Sequence, residues 1–222
     1  MTSLLSNPIE FFSSLLYVLP VVLISLTFHE WGHAYMAYRL GDPTAKYMGR
    51  LTLNPLKHID PIGLLCMVFL RIGWAKPVPI DPRYFRNPRR DDFLVSIAGV
   101  TMNFILFLIT SITLLSLQYF VKTPLPKFVF DTLGLFVFIN AALMVFNLLP
   151  IPPLDGYHVL NDLILKRSLF ASPRLMQIGM IVLLVLAWSG VLSTILSVCV
   201  ENMFGGVAWL FVFIVNLISS FL

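Results

Sequence analysis

The sequence predicts an all-α polytopic membrane protein with about five to six transmembrane helices and a short re-entrant or β-hairpin region between the first two long spans. Hydrophobic residues make up 58% of the 222 residues and charged residues only 12%, and the mean hydropathy is +0.88. A soluble domain carries about 25% charged residues, so lipid must cover much of this surface. The apolar residues also form stretches of about 20, the length of a bilayer-spanning helix.

Five apolar stretches are long enough, or nearly so, to cross a bilayer: 9–38, 92–120, 130–149, 176–199 and 204–221. In the first, Asn7 can cap the helix, Pro8 suits the first helical position and Glu10 completes a capping box. Gly41, followed by Asp42, ends it. No basic segment precedes this stretch, so we do not expect a cleaved signal peptide. We expect one integral membrane domain over 1–222, with its core at 9–160 and additional helices at 176–221.

The region between the first two long spans has a different pattern. Pro43, Gly49 and Pro55 interrupt residues 41–60, where apolar and polar residues alternate, which predicts a short hairpin at the membrane surface. The prolines of residues 74–80 favour an extended edge segment. The apolar stretch 61–74 is short, and we interpret it as re-entrant or interfacial.

Charge predicts the orientation in the membrane. Ten of the 15 Lys and Arg fall between residues 39 and 90, three lie at 166, 167 and 174, and two lie in the 121–129 loop. If segment 61–74 does not cross, thirteen of these charges lie on one side, which the positive-inside rule makes the cytoplasm. The positive charges lie between apolar segments, which indicates a lipid bilayer partner and no nucleic acid.

Residues His29-Glu30-Trp-Gly-His33 carry the clearest chemistry. On a helix the two histidines share a face and can bind one metal ion, for which two imidazoles suit Zn²⁺. Glu30 projects about 100° away from His29, where it can act as a base without being a ligand. The alternative is a chance match on an apolar helix. An ionisable group at the centre of a membrane span costs about 2.5–3.5 kcal/mol or more, which favours the metal interpretation.

A zinc site needs a third protein ligand, and Asp155 is the best placed carboxylate. It follows the predicted span 130–149 directly, and three intervening prolines break the helix. His29, His33 and Asp155 are then all near the inner ends of their helices, and we place Asp131 and Glu201 on the far side. On spacing alone an ordinary Pro-x-Asp-Gly turn fits Asp155 equally well.

The sequence resembles the site-2 protease family of intramembrane zinc metalloproteases, peptidase family M50, from about residue 25 to 160. The resemblance rests on four ordered motifs: His29 to His33, Asn54-Pro55 with His58-Ile-Asp60-Pro61-Ile-Gly63, Trp74 to Pro79, and Asn147 with Pro150 and Pro153-Leu-Asp155-Gly156. It implies one Zn²⁺ held by His29, His33 and Asp155, with Glu30 as general base and Asn147 contacting substrate. It further implies transmembrane-helix protein substrates and an active site toward the cytoplasmic side of the cell membrane.

The chain departs from this family pattern in one place. Many relatives carry Gly-Pro-x-x-Asn at the start of the next helix, and here the string is Gly99-Val-Thr-Met-Asn103. We expect the missing proline to alter a helix kink and to leave catalysis intact. The chain also has no room for the PDZ or CBS domain of some relatives, so it resembles a minimal member.

Other interpretations stay open from the sequence. A metal transporter or sensor could use the same histidine pair, although span 176–199 offers almost no polar path, and an inactive scaffold would have no need of Glu30. His58 and His158 could be ligands, but interfacial histidines with local hydrogen bonds are the simpler interpretation. Cys66 and Cys199 lie far apart and form no CxxC pair, so we interpret both as small apolar residues.

Overall fold

The computed structural model describes residues 7–70, 73–165 and 172–220, and within these ranges the chain is helical with one isolated β-bridge. The eight α-helices of these ranges are α1 Pro8–Arg39, α2 Thr44–Tyr47, α3 Pro61–Leu70, α4 Pro88–Phe120, α5 Lys127–Asn147, α6 Asp155–Leu160, α7 Pro173–Trp188 and α8 Val191–Ser219. Short 3₁₀ turns lie at Pro55–Lys57 and Pro82–Tyr84, and a π-helical turn follows α6 at Asn161–Leu165.

Four of these helices are long and apolar enough to cross a membrane: Phe11–Arg39 within α1, and all of α4, α5 and α8. At 1.5 Å per residue, the 21 residues of α5 extend about 30 Å, the thickness of the hydrocarbon core. Helix α7 has 16 residues and falls below this length, as does α3 with 10. The described residues therefore contain four candidate spans where the sequence predicted five to six. The re-entrant or interfacial interpretation of segment 61–74 stays a prediction.

The break between the last two helices lies earlier than predicted. The sequence placed it near residues 200–203, but the chain turns at Ser189 and Gly190. The φ angle of Gly190 is +78°. This left-handed conformation suits glycine because it has no Cβ. Helix α8 then continues through Glu201, Gly205 and Gly206. Glu201 is therefore an exposed helical residue within α8 and does not lie in the predicted loop.

The hairpin predicted for residues 41–60 was wrong. Asp42 Oδ1 accepts hydrogen bonds from the backbone N–H and hydroxyl of Thr44, which starts α2, and the fully buried carboxylate also accepts from the Asp81 N–H at 2.7 Å. Helix and 3₁₀ turns therefore replace the predicted strands. An antiparallel bridge pairs Ile59 with Ala75, and the Lys76 N–H donates to the His58 carbonyl at 2.9 Å.

The core of the bundle lies between α1, α4 and α5, and α8 packs on α4 and α5. Phe107 is the largest fully buried side chain of the described residues. It belongs to a cluster between α4, α5 and α8 with Leu114, Val137, Ala141 and Val200. Helices α1 and α4 approach closely at Gly32, where a Cβ would lie 2.7 Å from Met102 Cγ. Small residues permit such approaches in membrane bundles.

Residues 75–85, which we call the extended segment, pack against the second half of α1. Val78 contacts the cluster of Ala34 and Ala45, and Phe85 contacts that of Ala37 and Val95. Small alanines on α1 allow the segment to lie close to the helix that carries His29 and His33. This packing places the segment beside the predicted site.

We expect Phe107→Ala to destabilise the bundle by about 3–5 kcal/mol, because truncation of a buried phenylalanine leaves a cavity. The measurement is the unfolding free energy in detergent. Phe104→Ala is the matched control on the same helix, since Phe104 is 41% exposed and faces outward. Equal losses in the two variants would contradict this assignment of the core.

Candidate metal centre

Helix α1 presents His29 and His33 on one face, one turn apart. Both are buried, with 5% and 7% of their surfaces exposed. Their Nε2 atoms lie 3.0 Å apart. The i, i+4 spacing on a continuous helix is sufficient to produce this pair.

Asp155 meets the two imidazoles from another part of the chain. It is the first residue of α6 and follows the proline-rich segment 150–153 that ends α5. Its Oδ2 lies 3.3 Å from His29 Nε2 and 3.4 Å from His33 Nε2. Around a tetrahedral zinc with bonds of about 2.0–2.1 Å, ligand atoms lie about 3.3 Å apart. The separations of these three atoms fit one such ion.

The hydrogen bonds of the imidazoles determine which nitrogens carry protons. His33 Nδ1 lies 2.8 Å from the Val95 carbonyl, which can only accept, so this nitrogen donates. His29 Nδ1 likewise lies 2.7 Å from Asn103 Oδ1 and donates to it. In the neutral rings both Nε2 atoms are then unprotonated acceptors, and Asp155 Oδ2 is buried without a hydrogen-bond donor. Three acceptors that face one point need a cation between them.

Helix α4 passes over this group at Gly99. A Cβ at position 99 would lie 2.6 Å from His33 Cε1 and 2.9 Å from His29 Cε1, and closer still to His33 Nε2. The absence of a side chain therefore creates the space that the two rings occupy. Position 99 therefore requires glycine for a steric reason.

Glu30 lies next to the three acceptors and is held by the extended segment. Its Oε2 accepts from the Val78 N–H at 2.9 Å. Pro77 and Pro79 flank Val78 and have no N–H. Val78 therefore supplies the single backbone donor between Lys76 and Ile80, and the carboxylate of Glu30 uses it.

The predicted substrate residue Asn147 lines the same cleft, together with His29, Glu30, His33, Pro77, Val78, Asp92, Pro153, Asp155 and His158. It is the last residue of α5, and its Nδ2 donates to the Leu143 carbonyl at 3.1 Å. The structure therefore brings Asn147 to the site. A contact with substrate stays a prediction.

Neither of the other two histidines considered belongs to the group of three. His58 is buried and its Nε2 lies 2.8 Å from the Thr52 carbonyl, a local hydrogen bond as expected. His158 lies on the cleft wall, where its Nδ1 is 2.9 Å from Asp92 Oδ2, so its partner comes from α4. This hydrogen bond raises the pKa of His158, although burial acts in the opposite direction.

The same aspartate affects Asp162 in the π-helical turn. Burial, together with the negative charge of Asp92, raises the pKa of Asp162 to about 7. An acid whose pKa is higher in the folded state stabilises the fold while protonated. That contribution is lost as the pH rises from about 4 through about 7.

Several residues of this site were not found from the sequence. The sequence singles out Asn103 only within a motif, and it gives no role to Asn140, whose Oδ1 accepts from Asn103 Nδ2 at 3.0 Å. A signal existed, because amide side chains are rare in apolar spans and are usually functional there. The Val95 carbonyl and the Val78 N–H are backbone groups, so the residue type at these positions does not reveal them. Only the structure shows their role.

We expect Gly99→Ala to abolish or strongly weaken metal binding, since the added methyl group would overlap the two imidazoles. The measurement is zinc content and affinity of the purified protein. Gly134→Ala on α5 is the matched control, because a Cβ at Gly134 meets nothing within 4 Å. A Gly99→Ala protein with unchanged zinc affinity would refute the placement of α4.

We expect Asp162→Asn to stabilise the fold at pH 8 and to have little effect near pH 4. Asparagine is neutral at both pH values, whereas Asp162 is charged at pH 8 and protonated near pH 4. After allowance for solvent screening the gain is about 1 kcal/mol, or about 2–4 °C for a chain of this length. Thermal unfolding of both proteins across this range measures it. A gain that is independent of pH would show that the charge of Asp162 has no part in it.

The chain is similar to bacterial proteins whose names describe zinc metalloproteases. The profile of peptidase family M50 matches residues 124–189. YwhC of Bacillus subtilis (strain 168), whose name describes a zinc metalloprotease, is 40% identical over 173 residues, which cover 77% of this chain and 79% of YwhC. No solved structure matches with significance.

Two mycobacterial proteins named as zinc metalloprotease Rip2 are similar as well. Rip2 of Mycobacterium tuberculosis (strain ATCC 25618 / H37Rv) is 31% identical over 92% of this chain and 76% of its own length. Rip2 of Mycolicibacterium smegmatis is 31% identical over 81% of this chain and 70% of its own length. The identity and coverage establish that the chain belongs to peptidase family M50, the site-2 protease family of intramembrane zinc metalloproteases.

Proposed function

We propose that this protein is an intramembrane zinc endopeptidase that hydrolyses peptide bonds within or near transmembrane segments of membrane-anchored substrates, the reaction of regulated intramembrane proteolysis. One observation carries the proposal. The acceptor atoms of His29, His33 and Asp155 converge within 4.8 Å of one another beside Glu30, in a bundle of helices that are apolar enough to cross a membrane.

His29, His33 and Asp155 would hold a single Zn²⁺ through Nε2, Nε2 and Oδ2. Two imidazoles and a carboxylate form a known catalytic donor set, in which a fourth position stays open. Bound there, zinc would lower the pKa of a water molecule to about 7 and polarise a substrate carbonyl. The bundle contributes a fixed geometry, since each imidazole is oriented by a partner on α4.

Glu30 is the proposed general base. Its Oε2 is engaged by the Val78 N–H, and Oε1 makes no hydrogen bond with the described residues. Oε1 is therefore the atom that takes a proton from the attacking water. The same oxygen returns that proton to the leaving amine, which completes the cycle without a second acid.

A substrate must present an extended backbone, because the carbonyls of an intact helix are engaged in hydrogen bonds. The extended segment lies along the cleft and can pair with such a strand. Between Lys76 and Ile80 its only N–H is occupied by Glu30. Pairing on the other edge would therefore use the carbonyls of Pro77 and Pro79 as acceptors for substrate N–H groups. Asn147, which lines the same cleft, would supply its side-chain amide to the same strand.

The proposed orientation places the site toward the cytoplasm. The support is the distribution of charge: Lys and Arg concentrate between residues 39 and 90, which include the extended segment. Such a concentration favours the cytoplasmic face. Water and the cleaved end of a substrate would then exchange on that side.

We expect Glu30→Gln to retain zinc and to lose cleavage by about 10²–10⁴-fold, the usual contribution of a general base. The assay uses purified protein in liposomes with a single-span peptide substrate, and zinc content is measured on the same samples. Glu201→Gln is the matched control, because Glu201 is exposed on α8.

Three results would contradict the proposal. Cleavage by Glu30→Gln at the normal rate would remove Glu30 as the base. Full zinc content in Asp155→Ala would remove Asp155 from the metal site. Zinc flux into the liposomes without peptide cleavage would favour a transporter.

A further inference from the structure

Three buried polar groups lie behind His29, away from the cleft. Ser25 of α1, Asn103 of α4 and Asn140 of α5 each have 0% of their surface exposed. They form one hydrogen-bonded chain that crosses all three helices of the central core. Polar groups inside a membrane bundle are expensive unless they are paired, so a connected chain of them calls for a function.

The chain of hydrogen bonds has a fixed direction because it begins at a backbone carbonyl. Asn140 Nδ2 donates to the Phe136 carbonyl at 2.9 Å, and a carbonyl can only accept. The second N–H of this amide donates to Ser25 Oγ at 2.9 Å. Asn140 must therefore direct its oxygen, Oδ1, toward Asn103.

Asn103 continues in the same direction. Its Nδ2 donates to Asn140 Oδ1 at 3.0 Å and to the Ser25 carbonyl at 3.2 Å, a second group that can only accept. Asn103 must then direct its own Oδ1 toward His29. Because this oxygen only accepts, His29 carries its proton on Nδ1.

The opposite orientation of the Asn103 amide is unfavourable. It would place Oδ1 against Asn140 Oδ1 and the Ser25 carbonyl, at the 3.0 and 3.2 Å separations now occupied by hydrogen bonds. Two donors would be lost and two oxygen pairs would face each other in a buried site. Unpaired buried polar groups of this kind are strongly disfavoured.

We propose that Asn140 and Ser25 are positioning residues that act through Asn103 to fix the tautomer of His29, so that Nε2 is always the unprotonated nitrogen that faces His33 and Asp155. This inference rests on the proposed function only in taking those three residues as the metal ligands. His33 needs no such chain, because a backbone carbonyl determines its tautomer directly. The tautomers of both histidines are thus determined by oxygen atoms that can only accept hydrogen bonds.

Metal affinity tests the inference without an activity assay. We expect Asn140→Leu to weaken Co²⁺ and Zn²⁺ binding by about tenfold, the lower end of the range for residues that orient metal ligands. Asn202→Leu is the matched control, since the Asn202 amide donates to the carbonyl four residues earlier, as Asn140 does, but is exposed on α8. It should leave the affinity unchanged.

A double-variant cycle separates positioning from general damage. The Asn103→Asp variant presents an oxygen to His29 whichever way its carboxylate turns, so Asn140 can no longer affect the tautomer. Its other oxygen then faces Asn140 Oδ1, and Asn140→Leu removes that opposing oxygen. We therefore expect Asn140→Leu to cause no further loss of affinity in an Asn103→Asp background. Zinc raises the thermal unfolding midpoint of the wild-type protein, and we expect a smaller rise for Asn140→Leu. Measured with a chelator, the midpoints of the two proteins should differ less than they do with zinc.

Unchanged metal affinity in Asn140→Leu would overturn the inference. So would a loss of affinity on adding Asn140→Leu to Asn103→Asp that equals the loss it causes in the wild-type protein. Failure of the proposed function has a different result. If wild-type protein binds zinc through Asp155 but cleaves no membrane peptide, and Asn140→Leu still binds zinc more weakly, the tautomer inference stands and the protease assignment does not.

Discussion

Three acceptor atoms that converge without a proton between them are the constraint on which the rest of the structure depends. Two imidazole nitrogens and one carboxylate oxygen lie 3.0–3.4 Å apart in a buried site. Their mutual repulsion disfavours the arrangement unless a cation binds. The fold therefore has to hold these atoms in place by other interactions, and these come from several different elements.

Each element solves a different part of this problem. Helical periodicity pairs His29 with His33, and the proline-rich segment after α5 turns the chain so that α6 can present Asp155. Gly99 removes the side chain that would fill the site. The hydrogen bonds on the far side of each ring keep the protons away from the metal-binding atoms. Burial makes all of these interactions stronger, because water does not compete with them.

The sequence predicted the parts of this protein that follow from local rules. The helix pattern gave α1, α4 and α5 within a few residues, and the i, i+4 spacing gave the histidine pair. Asp155 needed the family resemblance, since a proline-rich turn is equally consistent with an ordinary loop. The break at Gly190 was missed because a single glycine within a long apolar stretch is a weak signal for a turn. The hairpin was wrong because buried Asp42 forms long-range hydrogen bonds that alternation of residues cannot reveal.

The position of Glu30, the proposed base, depends on a segment outside the helix bundle. Glu30 belongs to α1, but the group that holds its carboxylate is the Val78 N–H, and Val78 is fixed by packing on Ala34 and Ala45. The segment is anchored further at both ends, by the Lys76 hydrogen bond to His58 and by the bond from Asp81 to Asp42. A substrate that pairs with this segment would therefore bind to the element that orients the base. In the proposed mechanism, binding of an extended strand and alignment of the Glu30 carboxylate would be coupled through the Val78 N–H. The flanking prolines have no N–H, so no neighbouring backbone amide competes for that carboxylate.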